Sequence, residues 1–229
     1  MNAANEEPAV IEVTVGAPVD TVWESLRDPD LIKLWMGWHY DGLDAEIGVI
    51  FFQDTKADPD GHVLELGDGD RFEVYEGDKG TVVRVTRAPF VPGTEWSAYY
   101  HEITEGWISF LHQLKFMHEE HPGEVRRTLF LAGTGDRALA ALEEAIPAET
   151  GESWFSADRQ HGTVLPDLGP GLLITATKPP ATDDQGNVTT DVMAIVTTYG
   201  LDDDAFEAER SRWESWWRSG YPKSEPAQV

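Results

Sequence analysis

Two groups of side chains in this chain are dense enough to do chemistry. The first is the run Trp35-Met36-Gly37-Trp38-His39-Tyr40. Two indoles offer flat stacking surface, and His39 and Tyr40 add a titratable imidazole and a phenol. The second is a stripe of apolar and aromatic residues at steps of three and four: Trp96, Tyr100, Ile103, Trp107, Phe110, Leu114 and Met117. That spacing puts them on one helical face, with Tyr99 beside them. Together the two groups suit recognition of a flat, apolar molecule. Core packing of Trp35 and of the stripe is the competing reading, and the two are compatible, because the wall of a cavity is also core. His39, Tyr40, Tyr99 and His112 are the candidates for proton transfer, although His112 falls off the main apolar stripe.

Other chemistries find little support. His118-Glu119-Glu120-His121 has histidines at i and i+3, but it is not the H-E-x-x-H spacing, and Pro122 ends the helix there. No metal or other cofactor is therefore expected. Gly133-Thr134-Gly135 lacks the Lys-Ser/Thr ending of a phosphate loop, and no Gly-x-Ser-x-Gly elbow occurs. The chain has no Cys, which removes thiolate ligands, disulfides and thiol nucleophiles and fits a reducing compartment. With an acidic start, MNAANEEPAV, that carries no apolar signal core, the expected location is cytoplasmic.

Charge narrows the partners. With 42 acidic against 17 basic residues the net charge is −25. Such a polyanion is repelled by phosphate backbones and anionic lipid, so neither nucleic acid nor membrane is an expected partner. The acids are spread along the chain, as on a solvated surface. Hydrophobic residues make up 41% of the 229, enough for a core in one large domain or two small ones. No feature of the sequence fixes an oligomeric state.

The elements that must hold these side chains can be read from periodicity. Residues 1–9 form a flexible leader. Ile11, Val13 and Val15 alternate with polar residues in a first strand. Asp20 is placed to cap a helix carrying Val22, Trp23 and Leu26. Asp28-Pro29 opens a second, short helix with Leu31, Leu34 and Trp35. Strands are then predicted over 45–52, 62–66, 71–75 and 81–86, with turns at Gly67-Asp68-Gly69-Asp70 and Gly77-Asp78-Lys79-Gly80. The long helix spans 94–120, with Thr94 as its cap. After Gly123 the order partly repeats: a strand over 125–131, a helix over 136–145, a strand around Leu172-Leu173-Ile174, a turn at 184–187, a strand over 188–198 and a helix over 202–218 carrying Phe206, Trp213 and Trp217.

Three segments together resemble one family: Ala17-Pro18-Val19-Asp20-Thr21-Val22-Trp23, Asp28-Pro29-Asp30-Leu31-Ile32-Lys33-Leu34-Trp35 and Glu105-Gly106-Trp107-Ile108-Ser109-Phe110-Leu111. They look like the START-like or SRPBCC superfamily, in the branch similar to the heat-shock chaperone ATPase activator domain. The resemblance covers about residues 9–121. It implies an α+β helix-grip fold, an antiparallel sheet wrapped round a long C-terminal helix, with a hydrophobic cavity between them. Residues 10–122 would form this domain, and 123–229 a degenerate second unit of the same element order or a C-terminal extension. The family binds lipids, sterols, hormones or polyketides, some members are cyclases or hydrolases, and others assist a chaperone. A fold does not choose among these. The resemblance thus implies a hydrophobic small-molecule ligand bound by Trp35, Trp38, His39, Tyr40, Tyr99, Ile103, Trp107 and Phe110. A cyclase or dehydratase acting on a polyketide-like substrate and a chaperone co-activator module are the alternatives.

Overall fold

A computed structural model describes residues 8–93, 99–135, 146–182, 186, 188–222 and 224–229. The chain forms two compact units: one runs to Gly37 and resumes over Asp41–Pro122, and the other takes Trp38–Tyr40 with Gly123–Val229.

The first unit is built from strand β1 (Val10–Val15), helices α1 (Val19–Glu24), α2 (Pro29–Ile32) and α3 (Leu43–Ile47), strands β2 (Lys56–Asp58), β3 (Val63–Glu65), β4 (Arg71–Gly77) and β5 (Gly80–Thr86), and helix α4 (Tyr100–Glu120). Its sheet has the order β1-β5-β4-β3-β2, antiparallel throughout. Alternation decides which face is buried: Ile11, Val13 and Val15 of β1 point inward, as do Phe72 and Val74 of β4 and Val83 and Val85 of β5. Trp107, Leu111, Leu114 and Met117 of α4 join them in one core. This is the helix-grip arrangement.

Several local expectations change. Residues 45–52 are not a strand: α3 runs into a π-helical turn over Gly48–Phe52. The β-branched run Ile47-Gly48-Val49-Ile50 suggests extended chain, but burial recurs every four residues, at Leu43, Ile47 and Phe51, while Val49 is 59% exposed. Period four is helical, and packing overrides the local β preference. Asp20 does not cap α1. Pro18 holds that position, and Asp20 lies in the first turn, where its charge still complements the helix dipole. Asp28 does cap α2, accepting from the Asp30 amide at 2.8 Å with Pro29 behind it. Thr94 and Trp96 fall outside the described residues, as do 1–7 of the leader.

The second unit has β6 (Arg126–Gly135), β7 (Ser153–Ser156), β8 (Gln160–Leu165), β9 (Gly171–Thr177), a two-residue β10 (Ala181–Thr182), β11 (Val188–Tyr199) and helix α5 (Asp203–Gly220). Its strand order is β6-β11-β9-β8-β7, with β10 beside the start of β11. This order reproduces that of the first unit: the first strand pairs with the last, the others form a meander, and a long helix closes the unit. The predicted helix over 136–145 lies outside the described residues, as does most of the turn at 184–187. Helix α5 is capped by Asp202, whose side chain accepts from the Ala205 amide at 2.9 Å. Its Phe206, Trp213, Trp216 and Trp217 pack on Leu129 and Leu131 of β6 and Val192, Ala194 and Val196 of β11.

Candidate functional site

The inner face of the first unit's sheet ends in two charges. Along β5 the inward positions are Thr81, Val83, Val85 and, one step past the strand, Arg87; along β4 they are Phe72 and Val74, preceded by Asp70. The register pairs Arg71 with Thr86 and Phe72 with Val85. One step further, Asp70 faces Arg87, and Arg87 Nε lies 3.1 Å from Asp70 Oδ1. Both residues are buried, Asp70 fully and Arg87 to 5% exposure.

Asp70 is held on every side. Its Oδ1 accepts from the Ala88 amide at 2.8 Å, and its Oδ2 accepts from the Trp107 indole Nε1 at 2.9 Å. Burial raises the Asp70 carboxyl above its ordinary range, against the opposing effects of the Ala88 amide, Arg87 and Trp107. The Arg87 guanidinium sits 4.8 Å from the Tyr100 ring centre, and Tyr100 donates its hydroxyl to the Ala88 carbonyl at 3.0 Å.

Aromatic rings adjoin this pair. Trp107 meets Phe72 edge-on at 5.0 Å, and Phe51 and Phe110 at 6.1 Å each. Phe51 in turn meets Trp35 at 5.8 Å. Edge-to-face rings of this kind add about 0.5–1.5 kcal/mol per pair beyond burial. Around the cluster the core comes to the surface: Ile50, Ile103 and Phe110 are only partly buried against it. On the π-helical turn Val49 and Phe52 are exposed, and Tyr99, before α4, is half exposed. A polar surface depression of about 260 Å³, lined by Lys56, Ala57, Asp58, Val63, Glu65 and Arg71, shares no residue with this cluster.

The structure divides the Trp35–Tyr40 run. Trp35 is fully buried in the first unit, donating its indole N–H to the Ser25 carbonyl at 2.8 Å. Gly37, at φ +56, then turns the chain in a conformation that favours glycine. Trp38, His39 and Tyr40 belong to the second unit. There Trp38 stacks on Phe130 at 3.8 Å and donates to Gln228 Oε1 at 2.8 Å, while the His39 amide donates to Thr128 Oγ1 at 2.6 Å. Trp107, Phe110 and Ile103 share the first unit's cluster region. His118 and His121 meet different neighbours: His118 Nε2 is 3.0 Å from Ser25 Oγ, and His121 packs on Phe116. Sequence reasoning missed Asp70, Arg87, Phe51 and Phe72 as site residues, although extending the alternation of β4 and β5 by one step points the two charges inward.

His39 yields a pH prediction. Burial, and then the nearby Arg126 and Arg127 charges, lower its pKa from 6.5 to about 4. The unfolded chain therefore binds this proton more readily than the folded one. The stabilising contribution is complete above pH 6.5 and is lost as pH falls through about 4. His112, lowered to about 4 by burial, acts in the same sense. In urea titrations between pH 7 and pH 4, His39→Gln should flatten part of the decline in stability. An unchanged slope contradicts this assignment.

No family model and no curated protein matches the chain. Among solved structures it is similar to DynU16, a protein in the dynemicin biosynthetic locus, at 17% identity over 94% of this chain and 96% of that one, with a TM-score of 0.34. It is also similar to the di-domain ARO/CYC StfQ of the steffimycin biosynthetic pathway, at 11% identity over 94% and 98%, with a TM-score of 0.35. Among the described residues no helix is long and apolar enough to cross a membrane.

Proposed function

We propose that the first unit binds a hydrophobic or aromatic small molecule between its sheet and α4, at the cluster of Trp107, Phe51, Phe72 and Phe110. The observation that carries this reading is the buried Asp70–Arg87 pair, bonded to the Trp107 indole, at the end of a largely apolar face. A few convergent polar groups in apolar surroundings, with a perturbed carboxyl among them, are the usual make-up of a small-molecule site. Ile103, Phe110 and Ile50 are the side chains a ligand would displace or lie against, since they are only partly buried against the core. Asp70 has both oxygens engaged, which suits an anchor rather than a proton donor.

Thermal-shift screening against lipids and aromatic metabolites, paired with native mass spectrometry of freshly purified protein, tests the proposal. A compound that raises the melting temperature in a saturable way is the expected result. If the whole panel leaves the melting temperature unmoved and the protein flies at its bare chain mass, the reading fails.

A further inference from the structure

Arg87 has more donors than its neighbours use. Its Nε lies 3.1 Å from Asp70 Oδ1 as an ion pair, yet neither Nε nor the buried Nη1 has a hydrogen-bond partner among the described residues, and Nη1 has no ion-pair contact either. Buried donors are almost always satisfied in folded proteins, and leaving one unmade costs about 1–3 kcal/mol. The residue is 5% exposed, so bulk water does not readily supply the missing acceptor. The sheet could close with an apolar residue at this inward position, as it does at Val83 and Val85.

We infer that the ligand of the first unit carries an acceptor oxygen that takes the Nη1–H of Arg87. This rests on the small-molecule reading of the same site. The sign of the local charge selects the kind of oxygen. Asp70 already balances Arg87, so a neutral carbonyl or ether oxygen completes the hydrogen bonding without adding charge. A carboxylate would bring an unbalanced negative charge next to Asp70, into surroundings where charge is costly. A ligand ammonium would have no lone pair to offer Nη1. The ligand is thus an apolar, ring-bearing molecule with a neutral oxygen at the end that reaches the Asp70–Arg87 layer, while its rings lie against Trp107 and Phe110.

A matched pair of probes tests this on the full chain by titration calorimetry. 2-Acetylnaphthalene and 2-ethylnaphthalene have nearly the same shape, and only the first has a carbonyl oxygen. The ketone should bind about tenfold tighter, the effect of one hydrogen bond to a charged donor, and 2-naphthoate should bind more weakly than the ketone. In Asp70→Asn/Arg87→Gln, which removes both charges together, the ratio of ketone to hydrocarbon affinity should fall to about one. Arg87→Lys keeps the ion pair but has no Nη1, and should lower the ratio as well if the double variant does not fold. Equal affinities for the two probes in the wild-type protein overturn the inference and leave the small-molecule reading standing, as does a preference that survives in a folded variant. Tighter binding of 2-naphthoate overturns the neutral-oxygen assignment. Failure of all three probes to bind overturns the inference together with the reading beneath it.

Discussion

Asp70→Ala should destabilise the first unit by about 3–5 kcal/mol, because it leaves a buried guanidinium without its counter-charge. The loss is large beside the 5–15 kcal/mol that about covers the stability of most domains. Three contacts vanish together: the Arg87 ion pair at 3.1 Å, the Ala88 amide bond at 2.8 Å and the Trp107 indole bond at 2.9 Å. All three abandoned groups are donors, and each loses the acceptor that Asp70 supplies. Replacing both charges, as in Asp70→Leu/Arg87→Met, should cost less, since no buried charge is left unpaired and only the Ala88 and Trp107 donors still lose their acceptor. Urea denaturation of the single and double variants checks this. A loss below about 1 kcal/mol in Asp70→Ala would mean that the pair is not held as described.

Trp217→Ala should cost the second unit a similar amount, about 3–5 kcal/mol, the usual loss for removing a large buried aromatic. Trp217 is fully buried, packs on Trp216 and Tyr221, and donates its indole N–H to the Ala132 carbonyl at 3.1 Å. Gly133 of β6 makes room for it: a Cβ there would come within 2.8 Å of Tyr221 and 3.2 Å of the Trp217 nitrogen. Trp217→Phe keeps most of the ring and loses the N–H, so it should cost nearer 1 kcal/mol for the hydrogen bond plus the lost volume. The two substitutions separate packing from hydrogen bonding. If alanine and phenylalanine behave alike in urea denaturation, the indole does not fill the space assigned to it.

These two residues also mark what could be read from sequence. Phe206, Trp213 and Trp217 recur at helical spacing, so the buried side of α5 is visible without a structure. β1, β4 and β5 are equally visible, because one buried face imposes strict alternation. Asp70 is not, since it closes a Gly-Asp-Gly-Asp turn signal and looks like a solvated turn residue. Alternation carried one step back from β4 points it inward, against that turn signal, and the pairing of β4 with β5 sets it against Arg87. The 45–52 segment misleads for a related reason: its β-branched residues favour a strand, whereas the burial of Leu43, Ile47 and Phe51 follows a helical period. Trp38 and Trp35 are three positions apart, yet they join different units, and no local pattern announces the turn at Gly37. The matching strand orders of the two units rest on pairings between distant strands, β1 with β5 and β6 with β11, which local periodicity does not encode.

The most direct test of a ligand site beneath α4 is a fluorescence titration with N-phenyl-1-naphthylamine, in the wild-type protein and in Ile103→Trp. Ile103 lies on α4 one turn before Trp107 and is partly buried against the core, so a larger ring there fills the proposed site. The expected result is a saturable rise in probe emission for the wild-type protein, weakened by about tenfold or more in the variant, with the urea midpoint of the variant close to that of the wild type. Emission that never saturates, or the same affinity in a folded Ile103→Trp protein, would contradict a ligand site at this place.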